Sequence, residues 1–119
     1  MSYSVTQEFE SEEQLQAACF LWSWNEMPIT RRLISYNLNN SKNKIDGARN
    51  KAKGIVVGRS DLEFLWNGQL HYIELKFDNG SQSKGQKRFQ DAVIKHGAKY
   101  HIIDDLQQFK DLVCTILNS

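Results

Sequence analysis

The chain has 119 residues, of which 40% are hydrophobic and 24% are charged. These proportions are those of globular proteins and exclude extensive disorder, and the length suits a single domain spanning residues 1–119. No stretch approaches the roughly 18 apolar residues of a membrane span, and the acidic start is unlike the basic leader of a secreted protein. We therefore expect a cytoplasmic protein with both cysteines reduced.

The net charge of +1 conceals an uneven distribution of charge along the chain. Residues 1–30 carry five acids and no Lys or Arg, whereas residues 31–59 carry eight bases and one acid. A basic segment in an otherwise balanced protein suits phosphate groups, and a solvated loop has the same composition. Charge alone leaves both interpretations of this segment open.

The first predicted element is a helix that begins at Ser11 and ends near Pro28. Ser11 and Gln14 have the spacing of a capping box at its start. Its apolar side chains recur at helical spacing: Leu15, Ala18, Cys19 and Trp22. Residues 29–38 then predict a strand that opens into a polar, basic loop.

A hairpin is predicted next. Residues 61–66 and 70–77 are two β-rich runs, and they flank Asn67 and Gly68, the dipeptide typical of a tight hairpin turn. The two runs should therefore be antiparallel neighbours in one sheet.

The rest of the chain alternates helix and strand. A second capping box, Ser83 with Gln86, and the C-terminal Gly97 bound a helix of about thirteen residues. Residues 98–104 predict a short strand, and an amphipathic helix follows it. The order is αβββαβα, which predicts an α/β fold with a mixed four-stranded sheet flanked by helices.

Charged side chains share one face of the second hairpin strand. Because alternate residues of a strand point the same way, Tyr72, Glu74 and Lys76 lie on one face. The hairpin places Asp61 near the level of Glu74 or Lys76, where two carboxylates and an ammonium group would converge. An exposed Glu–Lys pair on a solvated face, worth at most about 1 kcal/mol, accounts for the strand residues equally well.

A series of motifs in a fixed order favours a functional site. The motifs are EEQLQ from Glu12, NNSKN from Asn39, GRSDL from Gly58, IELK from Ile73, GSQSKGQ from Gly80 and GAKY from Gly97. Together they span residues 12 to 103 and resemble VRR-NUC, the virus-type replication-repair nuclease family of the PD-(D/E)xK superfamily. Ser60 stands where that family usually has Pro, which affects the stiffness of the loop more than the chemistry.

The resemblance implies a small restriction-endonuclease-like fold and a DNA endonuclease that depends on Mg²⁺ or Mn²⁺. Asp61, Glu74 and the backbone carbonyl of Leu75 would hold the metal ion through hard oxygen ligands. Lys76 would orient or deprotonate the attacking water, or stabilise charge on the phosphate. The side chains of Asp61, Glu74 and Lys76 would therefore act together at one end of the hairpin.

The helical acid of the site is ambiguous. The spacing of the family motif selects Glu12, which would complete the metal shell through water or hold a second ion. One residue turns a helix by about 100°, so Glu13 is an alternative.

The implied partner is DNA, with branched DNA such as a Holliday junction as the substrate and a homodimer as the assembly. No membrane and no nucleotide cofactor are implied. The candidate DNA-binding residues are Ser83, Lys84, Gln86, Lys87, Lys42, Arg49, Lys53 and Arg59. Gln86 either caps its own helix or reaches DNA, and the first turn of that helix has free N–H groups for phosphate. The alternative function is a non-catalytic nucleic-acid-binding module with the same fold, and a weaker one is an unrelated protein-interaction domain.

Overall fold

The computed structural model describes residues 9–37, 53–54, 56–78 and 80–119. The elements are α1 (Glu12–Glu26), β1 (Ile34–Tyr36), β2 (Leu62–Trp66), β3 (Gln69–Leu75), α2 (Lys84–Lys95), β4 (Lys99–Ile103) and α3 (Leu106–Leu117). The four strands form one sheet in the order β1-β2-β3-β4. The first two pairs are antiparallel, and β3 pairs with β4 in parallel, so the sheet is mixed. The predicted fold class is confirmed.

Helix α1 begins where the sequence predicts. The Ser11 hydroxyl accepts a hydrogen bond from the Gln14 backbone N–H at 3.1 Å. The Gln14 side chain bonds to the backbone N–H of Glu10 at 2.9 Å, one residue before the partner that a complete capping box uses. Leu15 and Cys19 are buried, which fixes the face of α1 that packs into the core.

The strand predicted over residues 29–38 is wrong in length, because among the described residues 29–37 only Ile34–Tyr36 form a strand, and residue 38 lies outside the described ranges. Pro28–Thr30 form a 3₁₀ turn, in which the Thr30 hydroxyl donates to the carbonyl oxygen of Met27 at 2.7 Å. Arg32 then adopts a φ of 71°, in the left-handed region. Local side-chain hydrogen bonding competes with strand pairing here and delays the strand.

The predicted hairpin is confirmed in both pairing and turn. Leu62 pairs with Ile73 and Trp66 pairs with Gln69, so β2 and β3 are antiparallel neighbours. Asn67 and Gly68 have φ angles of 50° and 77°, the positive values that a type I′ turn requires.

The two faces of the sheet have different roles. Phe64, Ile73 and Leu75 are fully buried on one face, in a core that they share with side chains of α1 and α3. On the other face, Phe89 of α2 packs edge-on against Tyr72, with ring centroids 5.0 Å apart. The crossover through α2 makes β4 parallel to β3.

Helix α2 has a complete capping box. The Ser83 hydroxyl accepts from the backbone N–H of Gln86 at 3.1 Å, and the Gln86 side chain accepts from the backbone N–H of Ser83 at 2.8 Å. Gly97 follows the helix with a φ of 96°, as its predicted place beyond the C-terminus requires. No helix in the described part of the chain has the length and apolar character needed to cross a membrane.

Candidate active site

The hairpin brings Asp61 next to Glu74. Continuing the register of the Leu62–Ile73 pair by one residue places Asp61 opposite Glu74 on the same face of the sheet. The Asp61 Oδ2 atom accepts a hydrogen bond from the backbone N–H of Leu75 at 2.7 Å. Asp61 is only 4% exposed, so its carboxylate is held in a fixed position at the edge of the core.

Two further contacts hold the backbone on either side of Asp61. The carbonyl oxygen of Asp61 accepts from the backbone N–H of Asn37 at 2.8 Å, which ties it to the end of β1. Ser60 is buried, and its hydroxyl donates to the carbonyl oxygen of Leu62 at 3.0 Å. Serine at the position of the family proline therefore stabilises this turn by a hydrogen bond of its own.

Glu74 is completely buried, which excludes the interpretation of Glu74 and Lys76 as an exposed surface pair. Its Oε1 atom accepts hydrogen bonds from the Tyr100 hydroxyl and from Gln82 Nε2, the latter at 3.0 Å. Its Oε2 atom lies 3.3 Å from Lys76 Nζ, an ion pair without hydrogen-bond geometry. A buried charge is tolerated in proteins only when it is paired or binds a cation.

Lys76 is directed at this carboxylate by two other acceptors. Its Nζ atom donates to the Gln86 side-chain oxygen at 2.8 Å and to the Ser81 carbonyl oxygen at 3.1 Å. Glu74 Oε2 lies 3.3 Å from the same Nζ atom without hydrogen-bond geometry, so Lys76 neutralises this oxygen by charge alone. The oxygen of Gln86 both caps α2 and holds Lys76, a contact that the sequence did not predict.

Glu12 is the helical acid that reaches this group of charges. The pKa of Glu12 is raised to about 7, chiefly by burial, and further by the negative charge of Asp61 and a hydrogen bond to that carboxyl group. The charge of Lys76 acts in the opposite direction, and that of Glu74 raises the pKa slightly. Glu13 is exposed. The structure therefore places Glu12, and not Glu13, beside Asp61.

The donor set suits a hard divalent cation. Within the described ranges, no three His, Cys, Asp or Glu side chains converge closely enough to hold a metal ion by themselves. Mg²⁺ is typically bound by one or two carboxylates, with water and substrate phosphate oxygens completing its shell. Asp61 and Glu74 supply two carboxylates, and Glu74 Oε2 is a buried oxygen that lacks a hydrogen-bond donor among the described residues. These residues fit the metal that the sequence motifs imply.

The predicted DNA-binding residues fall into two groups in the structure. Ser83, Lys84 and Lys87 are exposed at the start of α2, beside Gln86 and Lys76. Lys53 and Arg59 belong to the basic segment. Lys53 is exposed in a turn, and Arg59 forms an ion pair with Glu63 at 2.5 Å. Lys42 and Arg49 lie outside the described residues.

Two residues of the site were missed by sequence reasoning. Tyr100 belongs to the motif GAKY and Gln82 to GSQSKGQ, and neither received a role. Both contact Glu74 in the structure. The position of Tyr100 could have been predicted from the sequence. Residues 98–104 are predicted as a strand, and in a strand that pairs in parallel with β3 every second residue lies on the same face of the sheet as Glu74.

Comparison with known proteins supports the fold. No protein-family model and no curated protein matches the chain. A solved structure described as a VRR_NUC domain protein is similar to it, with a TM-score of 0.75 and 16% sequence identity. The match covers 94% of this chain and 92% of that chain. The chain therefore has the fold of that VRR_NUC domain structure, a small α/β fold with a mixed four-stranded sheet, as its motifs predict.

Proposed function

We propose that the protein is a metal-dependent DNA endonuclease that hydrolyses phosphodiester bonds. The observation that carries this proposal is the buried Glu74, which faces Lys76 with one oxygen and lies beside Asp61. Two acids and a lysine enclosed at one end of a hairpin are costly to desolvate, and an ordinary small domain gains little from them. They suit a site that binds a cation and a phosphate.

Asp61 and Glu74, with the Leu75 carbonyl, would hold Mg²⁺ or Mn²⁺, and Glu12 would contribute through water or a second ion. A bound divalent ion supplies positive charge for the phosphate and makes water more acidic. In hydrolysis, a water oxygen bonds to phosphorus, one bridging P–O bond breaks and the leaving oxygen takes up a proton. Lys76, surrounded by acceptors that orient its ammonium group, suits the role of donor to the attacking water or to a phosphate oxygen.

Binding of DNA is assigned to the start of α2 and to the basic segment. The exposed Lys84 and Lys87 flank Gln86, whose oxygen is already used by Ser83 and Lys76. Phosphate contacts by such lysines position the backbone of DNA near the acids. The preference for branched DNA and the homodimer come from the family resemblance. Two sites related by a two-fold axis suit a symmetric four-way junction.

Substitution of Asp61 tests the proposal. Asp61→Asn keeps an oxygen that accepts from the Leu75 N–H but removes the charge, so the fold should survive. We expect cleavage to fall by on the order of a hundredfold or more, with DNA affinity within about threefold of wild type. The measurements are gel cleavage with Mg²⁺ and fluorescence-anisotropy binding in EDTA.

Asp111→Asn, an exposed acid of α3, is the matched control and should cleave like wild type. A wild type that binds DNA but cuts no substrate would favour the non-catalytic module. If Asp61→Asn cleaved DNA as fast as wild type, Asp61 would have no part in catalysis and the proposed active site would be wrong.

A further inference from the structure

The two oxygens of the Glu74 carboxylate have different surroundings. Oε1 accepts hydrogen bonds from Tyr100 and Gln82, whereas Oε2 accepts none from the described residues and faces Lys76 at 3.3 Å. A carboxylate free to rotate would exchange these two oxygens. In this site the rotation would break two hydrogen bonds, so the other oxygen is kept facing Lys76.

Gln82 is itself fixed by a second contact. Its Nε2 atom donates one hydrogen to Glu74 and the other to Gln90 Oε1 at 2.7 Å, which uses both donors of the amide. A carboxylate is only an acceptor, so the nitrogen of Gln82 must face Glu74, and Gln90 must in turn present its oxygen. This chain of bonds ties Glu74 to the middle of α2.

Tyr100 reaches the same oxygen from the neighbouring strand. It pairs with Tyr72 in the parallel register of β3 and β4, and its ring lies against Phe89 of α2 at a centroid distance of 6.3 Å. The phenol is therefore fixed by the sheet on one side and by α2 on the other. Glu74 is therefore oriented by Tyr100 of β4 and by Gln82, which lies in the segment just before α2.

We propose that Tyr100 and Gln82 are positioning residues that orient the Glu74 carboxylate for a divalent cation. This inference rests on the proposed function, since the cation is the one assigned to Asp61 and Glu74. Donors that hold a metal-binding carboxylate in one orientation raise metal affinity, because less freedom is lost when the ion binds. Both residues act through Glu74, which each of them contacts.

Binding of Mn²⁺ in the absence of DNA tests this role. The free Mn²⁺ signal in electron paramagnetic resonance is titrated with wild type, Tyr100→Phe and Tyr72→Phe, and thermal unfolding is recorded for each protein. Tyr72 lies on the same face of the sheet but is not a hydrogen-bond partner of Glu74, so it is a matched control. We expect Tyr100→Phe to weaken Mn²⁺ binding by about tenfold and Tyr72→Phe to change it by less than about twofold. Gln82→Met, which keeps the length of the side chain but removes the donors, should weaken binding in the same direction.

The outcomes separate this inference from the proposed function. If wild type binds Mn²⁺ and Tyr100→Phe binds it equally well, the positioning role is wrong and the metal site stands. A loss of thermal stability in Tyr100→Phe with unchanged Mn²⁺ affinity also overturns it, because the hydroxyl is then only structural. If wild type binds no Mn²⁺, both the metal-dependent function and this inference fail.

Discussion

At the scale of single residues, the two adjacent acids at the start of α1 have contrasting surroundings. Glu13 is exposed, whereas Glu12 is half-buried and shares a hydrogen bond with Asp61. The pKa of Glu12 is raised to about 7, so without a metal ion this carboxyl group is mostly protonated below pH 7. That proton offsets the repulsion between the two acids, and a bound cation would replace it.

The protonation of Glu12 predicts a specific pH dependence of stability. Between its unfolded value of 4.5 and its folded value of about 7, the folded protein holds a proton that the unfolded chain releases. The contribution of Glu12 to the free energy of unfolding is therefore complete below pH 4.5 and is lost as pH rises through 7. Urea unfolding in EDTA should show that the stability of wild type relative to Glu12→Gln falls across this range.

Glu13→Gln is the matched control for that experiment, and its difference from wild type should stay constant with pH. Other groups titrate in the same range, including His101, whose pKa is lowered to about 4 mainly by burial. Their contribution is common to all three proteins and cancels in the comparison. A constant difference between wild type and Glu12→Gln would contradict the placement of Glu12 beside Asp61.

The sequence allowed some of the site to be predicted residue by residue. The period of two in a strand, combined with the Asn67-Gly68 turn, predicted that Asp61, Glu74 and Lys76 meet. The choice between Glu12 and Glu13 stayed open, because it depends on how α1 is rotated against the sheet. Gln82 was missed because its contact depends on the path of an irregular segment, for which the sequence has no periodic signal.

At the scale of elements, the turn before β2 packs directly against the start of α2. Gly58 has a φ of 82°, and a Cβ atom added there would lie 2.3 Å from the backbone carbonyl of Gly85. This close approach joins the turn that leads to Asp61 with the helix that carries Gln86. The glycine of the motif GRSDL therefore has a packing role in addition to its turn conformation.

Alanine at three glycines tests this contact. Gly58→Ala meets both a backbone clash and a positive φ, so we expect a loss of at least about 2 kcal/mol in the free energy of unfolding. Gly97→Ala meets only the positive φ of 96° in open space and should cost about 1 kcal/mol. Gly85→Ala meets ordinary contacts at 3.5 Å and should be nearly neutral.

Urea denaturation of the three variants gives this order directly. Gly97→Ala measures the free-energy cost of a positive φ alone. Gly85→Ala measures the effect of adding a methyl group to α2 where it faces Gly58. If Gly58→Ala cost no more than Gly97→Ala, the close packing of the turn against α2 would be wrong.

Elements with strong local signals were predicted well, and the others were not. The capping box at Ser83 and the turn at Asn67-Gly68 specify structure through neighbouring residues alone, and both are confirmed. The strand over residues 29–38 was predicted too long, because its β-branched composition concealed the 3₁₀ turn that Pro28 begins. A strand prediction from composition averages the preferences of about ten residues. It cannot detect the hydrogen bonds of one hydroxyl group, that of Thr30, which stabilise the 3₁₀ turn instead.

At the scale of the whole molecule, the site is assembled from most of the chain. Glu12 comes from α1, Asp61 from the turn before β2, Glu74 from β3 and Tyr100 from β4, while α2 supplies Gln86. Residues nearly ninety positions apart therefore meet at one end of the sheet. The fold shared with the VRR_NUC domain protein at 16% identity is what brings them together.

The distribution of charge over the molecule also suits a nucleic-acid substrate. The acids of the site would repel DNA, and the exposed Lys84 and Lys87 at the start of α2 counter this repulsion. A protein with a net charge of only +1 can therefore present a local positive surface beside its acids.

The proposed activity of the whole protein is hydrolysis of DNA at this site with the aid of a divalent metal ion and Lys76. Its most direct test is the cleavage of a labelled four-way junction, beside linear duplex and single-stranded DNA, in Mg²⁺, Mn²⁺ or EDTA. Wild type is compared with Lys76→Ala and with Lys95→Ala, an exposed lysine in the last turn of α2. We expect wild type and Lys95→Ala to cut the junction in Mg²⁺ or Mn²⁺ but not in EDTA, and Lys76→Ala to lose on the order of a hundredfold or more of the rate. Cleavage that persists in EDTA would contradict the metal dependence of the reaction, and equal rates for Lys76→Ala and wild type would contradict the role of Lys76.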